Sequence, residues 1–104
     1  MSEKLSELIR LLDIEKVEEN LFIANHPEGR TGRLYGGQIM AQALMGAIRT
    51  VPGDRYVHSI HGYFLRPGIP MTPAIIRVER LRDGGSFSTR RVIVQQEGRP
   101  IFTL

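Results

Sequence analysis

The run Tyr35-Gly36-Gly37-Gln38, with the apolar stretch that follows it to Arg49, sets what this chain can fold into. After the glycines come Ile39, Met40, Ala41, Ala43, Leu44, Met45, Ala47 and Ile48, with polar side chains only at Gln38, Gln42 and Arg49. Those polar positions fall at i, i+4 and i+11, close to one line on a helix, and the rest of the circumference is apolar or small. A helix that is apolar almost all round is a buried one. Roughly 14 residues at 1.5 Å each give about 20 Å, enough to cross a small domain. Pro52-Gly53 closes the helix off. Everything downstream reads as strand, so the expected architecture is one central helix wrapped by an antiparallel sheet.

Upstream, Ser2 can cap a first helix in which Leu5, Leu8, Ile9 and Leu12 fall at i, i+3, i+4 and i+7. A single apolar stripe of that kind lies on the outside of a core. Asn20-Leu21-Phe22-Ile23-Ala24 has enough β-character for a first strand, and His26 to Gly32 is a loop on its Pro and Gly content. After the central helix, Tyr56 to Leu65 is the next expected strand, ended by Arg66-Pro67-Gly68. Alternation along it puts Tyr56, His58, Ile60, Gly62 and Phe64 on one face and Val57, Ser59, His61, Tyr63 and Leu65 on the other. Ala74 to Leu81 and Ser86 to Gln95 are strands about the Asp83-Gly84-Gly85 turn, and Glu97-Gly98 is a second hairpin turn leading into Pro100 to Leu104. The alternation is unfinished at Leu104, which is read as the front part of something longer or as a sheet completed by a partner.

At 104 residues the chain is one domain at most, 1–104. It has no cysteine, which excludes disulfides, thiolate nucleophiles and thiolate metal sites. No apolar run reaches the roughly 18 residues of a membrane span, and the N-terminus is no secretory signal, so a cytoplasmic protein is the default. The net charge of +3 is mild but uneven: residues 1–28 hold seven acidic groups against three basic ones, and from Arg30 onward there are eleven arginines and no lysine. An arginine-rich half could hold phosphates; a solvated strand face is the simpler reading. No basic helix or basic–aromatic platform supports nucleic-acid binding.

A Gly-Gly turn at a buried helix start has a chemical use. Unpaired N–H groups and the positive end of the helix dipole point at whatever sits there, and could stabilise a carbonyl oxygen that becomes negative during acyl transfer. The alternative is that Gly36 and Gly37 only let a tight turn pack under the sheet. No carboxylate lies between Glu28 and Asp54, so the central helix supplies no general base. His58 and His61 fall on opposite strand faces by parity, which argues against a paired or metal-binding role; His58, on the face of Ile60 and Phe64, is the one expected to face the helix. Ser59, Ser86, Ser88 and Thr89 show no adjacent histidine–carboxylate arrangement.

Three ordered motifs carry a family resemblance. They are Leu34-Tyr35-Gly36-Gly37-Gln38, the run from Val57 through His58-Ser59-Ile60-His61 to Arg66-Pro67-Gly68, and Leu81-Arg82-Asp83-Gly84-Gly85-Ser86-Phe87-Ser88 with Thr89 to Val92. Together they resemble the acyl-CoA thioesterase II family over nearly the whole chain. The resemblance implies an α+β hotdog fold, a long central helix wrapped by a curved antiparallel β-sheet, here lacking its last strand. Family members usually hold two hotdog units, and this chain resembles the first. The family's hydrolytic aspartate, glutamine and serine/threonine belong to the second unit and have no matching position here. What carries over is Gly36, Gly37 and Gln38, Arg66, and Ser86 and Phe87 of the hairpin as substrate-binding candidates, with His58 as the one catalytic candidate. No metal and no cofactor are implied, since coenzyme A is part of the substrate.

Three readings follow. The chain is the N-terminal half-unit of an acyl-CoA thioesterase, partnered by acyl-CoA and by a second hotdog unit that activates water. Alternatively it is a non-catalytic acyl-CoA-binding or interface-forming hotdog domain. The third is a self-sufficient homodimer using His58 or Glu28. The pattern leaves acyl chain length open, and strand parity lets at most one of Arg90 and Arg91 meet a CoA phosphate.

Overall fold

The computed structural model describes residues 3–24, 36–69 and 72–104. The expected His26–Gly32 loop, Glu28 and the Ser2 cap lie outside these residues, as do the side chains of Leu8 and Leu11 within the first helix. Helix α1 runs Glu3–Leu12, strand β1 Glu15–Glu18 and β2 Leu21–Ala24; helix α2 runs Gly36–Ile48; then come β3 Tyr63–Phe64, β4 Ala74–Asp83, β5 Ser88–Gln96 and β6 Arg99–Thr103. The strands form one antiparallel sheet in the order β1-β2-β4-β5-β6-β3. One long helix laid against such a sheet is the hotdog arrangement.

Alternation decides which side chains meet α2. Phe22, Ile76, Val78, Val92, Val94 and Phe102 share the sheet's inner face and are almost fully buried. Ile39, Gln42, Ala43, Gly46 and Ala47 of α2 are buried with them. Each large apolar side chain removed from water here stabilises the fold by about 1.5–3 kcal/mol. The small residues let helix and sheet approach closely: a Cβ on Gly46 would stand 2.8 Å from Ile76 Cγ2. The helix expected to follow the glycine pair in fact begins on it, with Gly36 and Gly37 as its first residues. Arg49, just past its end, lies over the Phe22 ring at 5.0 Å and donates to the Ile14 carbonyl.

The Glu97-Gly98 hairpin has positive φ at both loop residues, 50° and 75°, the two-residue turn that suits the twist of the strands it joins. Gln96, 1% exposed, ties the β5 end to the next layer: it donates to the carbonyls of Ile69 and Thr72 and accepts from Ile69 N–H.

Two assignments need correction. β1 is a strand where the sequence reading had only a lead-in; Glu15, Lys16 and Glu18 are exposed, so it carries no hydrophobic alternation to be recognised by. The strand expected over Tyr56 to Leu65 is reduced to Tyr63–Phe64, and residues 56–62 form no ladder. A strand exists only where a neighbour takes up its N–H and C=O groups, and here β6 offers partners only to Tyr63 and Phe64 in the ladder and to Leu65 and Arg66 beside it.

Candidate active site

A cavity of about 690 Å³ opens where that ladder stops. Its floor is the C-terminal half of α2 with Leu44, Ala47 and Ile48; one wall is the segment Asp54–His61; the other is the β4–β5 hairpin with Ser86, Phe87 and Ser88. The hairpin exists because Gly84 N–H closes on the Phe87 carbonyl at 2.8 Å, which throws Phe87 outward, 64% exposed. There the His58 ring meets it, centroids 5.4 Å apart and planes at 49°. His61 also lines the cavity and leans on Tyr63 at 5.0 Å. The parity that placed the two histidines on opposite faces therefore does not hold, because no strand forms at these positions to impose it.

Polar groups under the hairpin are linked in series. Thr50 Oγ1 donates to the Ala47 carbonyl at the end of α2 and accepts from Arg90 Nε at 2.8 Å. Arg90, its side chain 4% exposed, also donates to Thr50 O and to both oxygens of Asp83, at 2.8 and 3.1 Å. Ser88 Oγ donates to Asp83 Oδ1 and accepts from Arg55 Nη1. The Ser88 hydroxyl first and the Arg90 guanidinium second hold the Asp83 carboxyl below the ordinary carboxylate range. This circuit was missed from sequence; the only signal available was an aspartate and two arginines placed around a Gly-Gly turn.

Of the candidate residues, His58, Ser86 and Phe87 come together at the cavity. Gly36, Gly37 and Gln38 sit at the other end of α2, about 9–12 Å along its axis from Leu44. Gln38 is buried, and the Gly36 Cα lies close against the Phe64 ring, so that a Cβ there would stand 3.0 Å from Phe64 Cζ. Arg66 donates to the Pro100 carbonyl at 2.6 Å, outside the cavity lining. Arg90 and Arg91 both line the cavity, although strand parity was expected to separate them; Arg90 is committed to Asp83 and Thr50, and Arg91 has Glu79 at 3.9 Å. Glu28 is not among the described residues. Asp54 lines the cavity, and among the described residues no hydrogen bond joins it to either histidine, nor a serine to a histidine. The floor is apolar, and the walls offer imidazole, hydroxyl and guanidinium groups. No set of three or more His, Cys, Asp or Glu among the described residues is gathered as for a metal, and none of the described helices is long and apolar enough to cross a membrane.

The family model for the acyl-CoA thioesterase N-terminal domain matches residues 26–104. Acyl-coenzyme A thioesterase 8 of Homo sapiens is 47% identical over 92 residues, covering 88% of this chain and 29% of the human protein. Acyl-CoA thioesterase 2 of Haemophilus influenzae is 43% identical over 88 residues, covering 85% of this chain and 31% of its own length. The chain thus spans under a third of the curated relatives it matches. Among solved structures, acyl-CoA thioesterase II TesB2 of Mycobacterium marinum superposes with a TM-score of 0.83 at 43% identity, over 92% of this chain and 35% of that one. With a hotdog helix-on-sheet core and a family match over residues 26–104, the chain belongs to the acyl-CoA thioesterase N-terminal domain family.

Proposed function

We propose that this chain is the N-terminal hotdog unit of an acyl-CoA thioesterase, in which a second hotdog unit supplies the group that activates water. Water adds to the thioester carbonyl, the C–S bond breaks, and fatty acid and coenzyme A leave, the thiolate taking up a proton. No metal or redox cofactor takes part, and the compartment is cytoplasmic. The observation that carries the reading is the match to relatives named acyl-CoA thioesterases, at 47% and 43% identity. The local geometry agrees. β3 is one of the two edge strands of the sheet, and the chain around it leaves Tyr56, Val57, Ile60, Tyr63, Phe64 and Leu65 exposed, where a second unit would dock.

In this reading His58, Ser86 and Phe87 frame the acyl pocket. Gly36, Gly37 and Gln38 present helix N–H groups towards the partner unit, and Arg66 stands near the CoA head. A second reading, a domain that binds acyl-CoA without hydrolysing it, is favoured for the chain alone because no carboxylate among the described residues is hydrogen-bonded to His58 or His61. Hydrolysis of octanoyl- and palmitoyl-CoA separates them. It is followed for the 104-residue chain alone and with the part of the Haemophilus relative that this chain does not span. Turnover only in the mixture is the expected result. Turnover by the chain alone overturns the assignment of water activation to a second unit, and a mixture that forms but neither binds nor cleaves acyl-CoA overturns the thioesterase reading.

A further inference from the structure

Among the described residues, the polar link between the two walls of the cavity is one side chain, beside the His58–Phe87 ring contact. Among the described residues, every polar contact from 51–62 to the hairpin comes from Arg55: Nη1 to Ser88 Oγ at 2.6 Å, and Nη2 to the carbonyls of Gly84 at 2.6 Å and Gly85 at 3.0 Å. Beyond Arg55 the segment has no ladder until Tyr63, and Tyr56 is 90% exposed. The acceptors are themselves held. Ser88 is fixed by Asp83, Asp83 by Arg90, and Arg90 by Thr50 at the end of α2, while Arg55 N–H returns to Pro52 O at 3.1 Å. A series of charge-assisted bonds therefore runs from Thr50, past the helix end, through Arg90, Asp83 and Ser88 to Arg55, and the backbone from 50 to 55 completes the loop.

We infer that Arg55 is a positioning residue. By clamping Asp54–His61 to Gly84–Ser88 it fixes the gap between His58 and the Ser86-Phe87 tip, and that gap decides which acyl chains the cavity accepts. A planar guanidinium is suited to this because its fork reaches three acceptors at once, which a lysine ammonium on a flexible stem cannot do with the same geometry. The carbonyl of Gly85 is at the surface and that of Gly84 only half-buried, so water can replace Arg55 on them, and losing the clamp loosens the mouth more than it unfolds the chain. The Phe87 ring then leaves His58, since their one ring contact spans the same gap.

The selectivity half of this inference rests on the thioesterase reading; the clamp half does not. The first measurement is the ring-proton NMR shifts of His58 in the 104-residue chain, which carry the ring current of Phe87. Arg55→Met should move them towards those of Phe87→Ala, Arg55→Lys should restore them in part, and Arg80→Met, a guanidinium on Asn20 and Glu19 away from the cavity, should leave them unchanged. The second is the ratio of kcat/KM for palmitoyl- over octanoyl-CoA with the second unit present, expected to change roughly tenfold in Arg55→Met with thermal unfolding close to wild type. His58 shifts unmoved by Arg55→Met overturn the clamp. Moved shifts with an unchanged ratio overturn its role in selectivity. A mixture without turnover sinks the thioesterase reading and the selectivity with it, while the NMR arm still decides the clamp.

Discussion

Residues 36–48 and residues 51–65 are both rich in apolar side chains, yet the first stretch buries one face, with Met40, Leu44 and Met45 half-buried and only Ile48 exposed among its large apolar groups, while the second leaves Tyr56, Val57, Ile60, Tyr63, Phe64 and Leu65 in solvent. The difference is not hydrophobicity but what each stretch faces. Helix α2 satisfies its own backbone, so it needs only a surface, and the inner faces of β2, β4, β5 and β6 provide one. The 51–65 stretch must borrow backbone partners, and β6 lends them only from Tyr63 to Arg66. A self-sufficient element folds wherever it finds an apolar face; a strand folds only where another strand ends its search. The exposed half supplies one wall of the cavity.

Substitutions can break this comparison. Phe22→Ala should cost most, about 4 kcal/mol in denaturant unfolding, because a fully buried ring under Arg49 leaves a cavity the sheet cannot close. Gly46→Val should cost about 2 kcal/mol by the same measurement, since its Cβ falls within 2.8 Å of Ile76 and its branches press further. Arg90→Met should cost about 2 kcal/mol through the bonds to Asp83 and Thr50 that go unmade. Tyr56→Ala should leave the stability of the chain within about 0.5 kcal/mol but weaken association with a second unit by roughly tenfold or more in sedimentation. A large stability loss at Tyr56 would erase the contrast between the two stretches.

Acid sharpens it further. Asp83 titrates below its ordinary value in the fold, so its contribution is fully present above the unfolded carboxylate pKa of about 3.9 and is lost as pH falls through the lower folded value. Unfolding followed from pH 6 to about pH 2 should show this loss, and Asp83→Asn should flatten that part of the curve.

The buried half was the legible half. The apolar run from Ile39 to Ile48 marks a helix on the core, although the face it buries includes Gln38 and Gln42 and leaves Ile48 exposed, and the Gly84-Gly85 and Glu97-Gly98 turns fix two hairpins by local chemistry. β1 was not legible, because Glu15, Lys16 and Glu18 carry no alternation and the strand exists only through pairing with β2. The segment from Tyr56 to Gly62 misled for the opposite reason: its pattern is a strand's, but a pattern cannot supply the neighbour. At the site, His58 and the Ser86-Phe87 tip were visible through their motifs. Arg55 was not, since its contacts reach 29 and 33 residues ahead and no spacing rule links them.

Amide hydrogen exchange across the two stretches, read in the chain alone and again with the second unit added, tests most directly whether 51–65 is half of a shared site. The amides of 39–48 should be slow in both states, and those of 56–62 fast in the chain alone and slowed once the second unit binds. Slow exchange of 56–62 in the chain alone, or no change there in a mixture that hydrolyses octanoyl-CoA, would contradict the account.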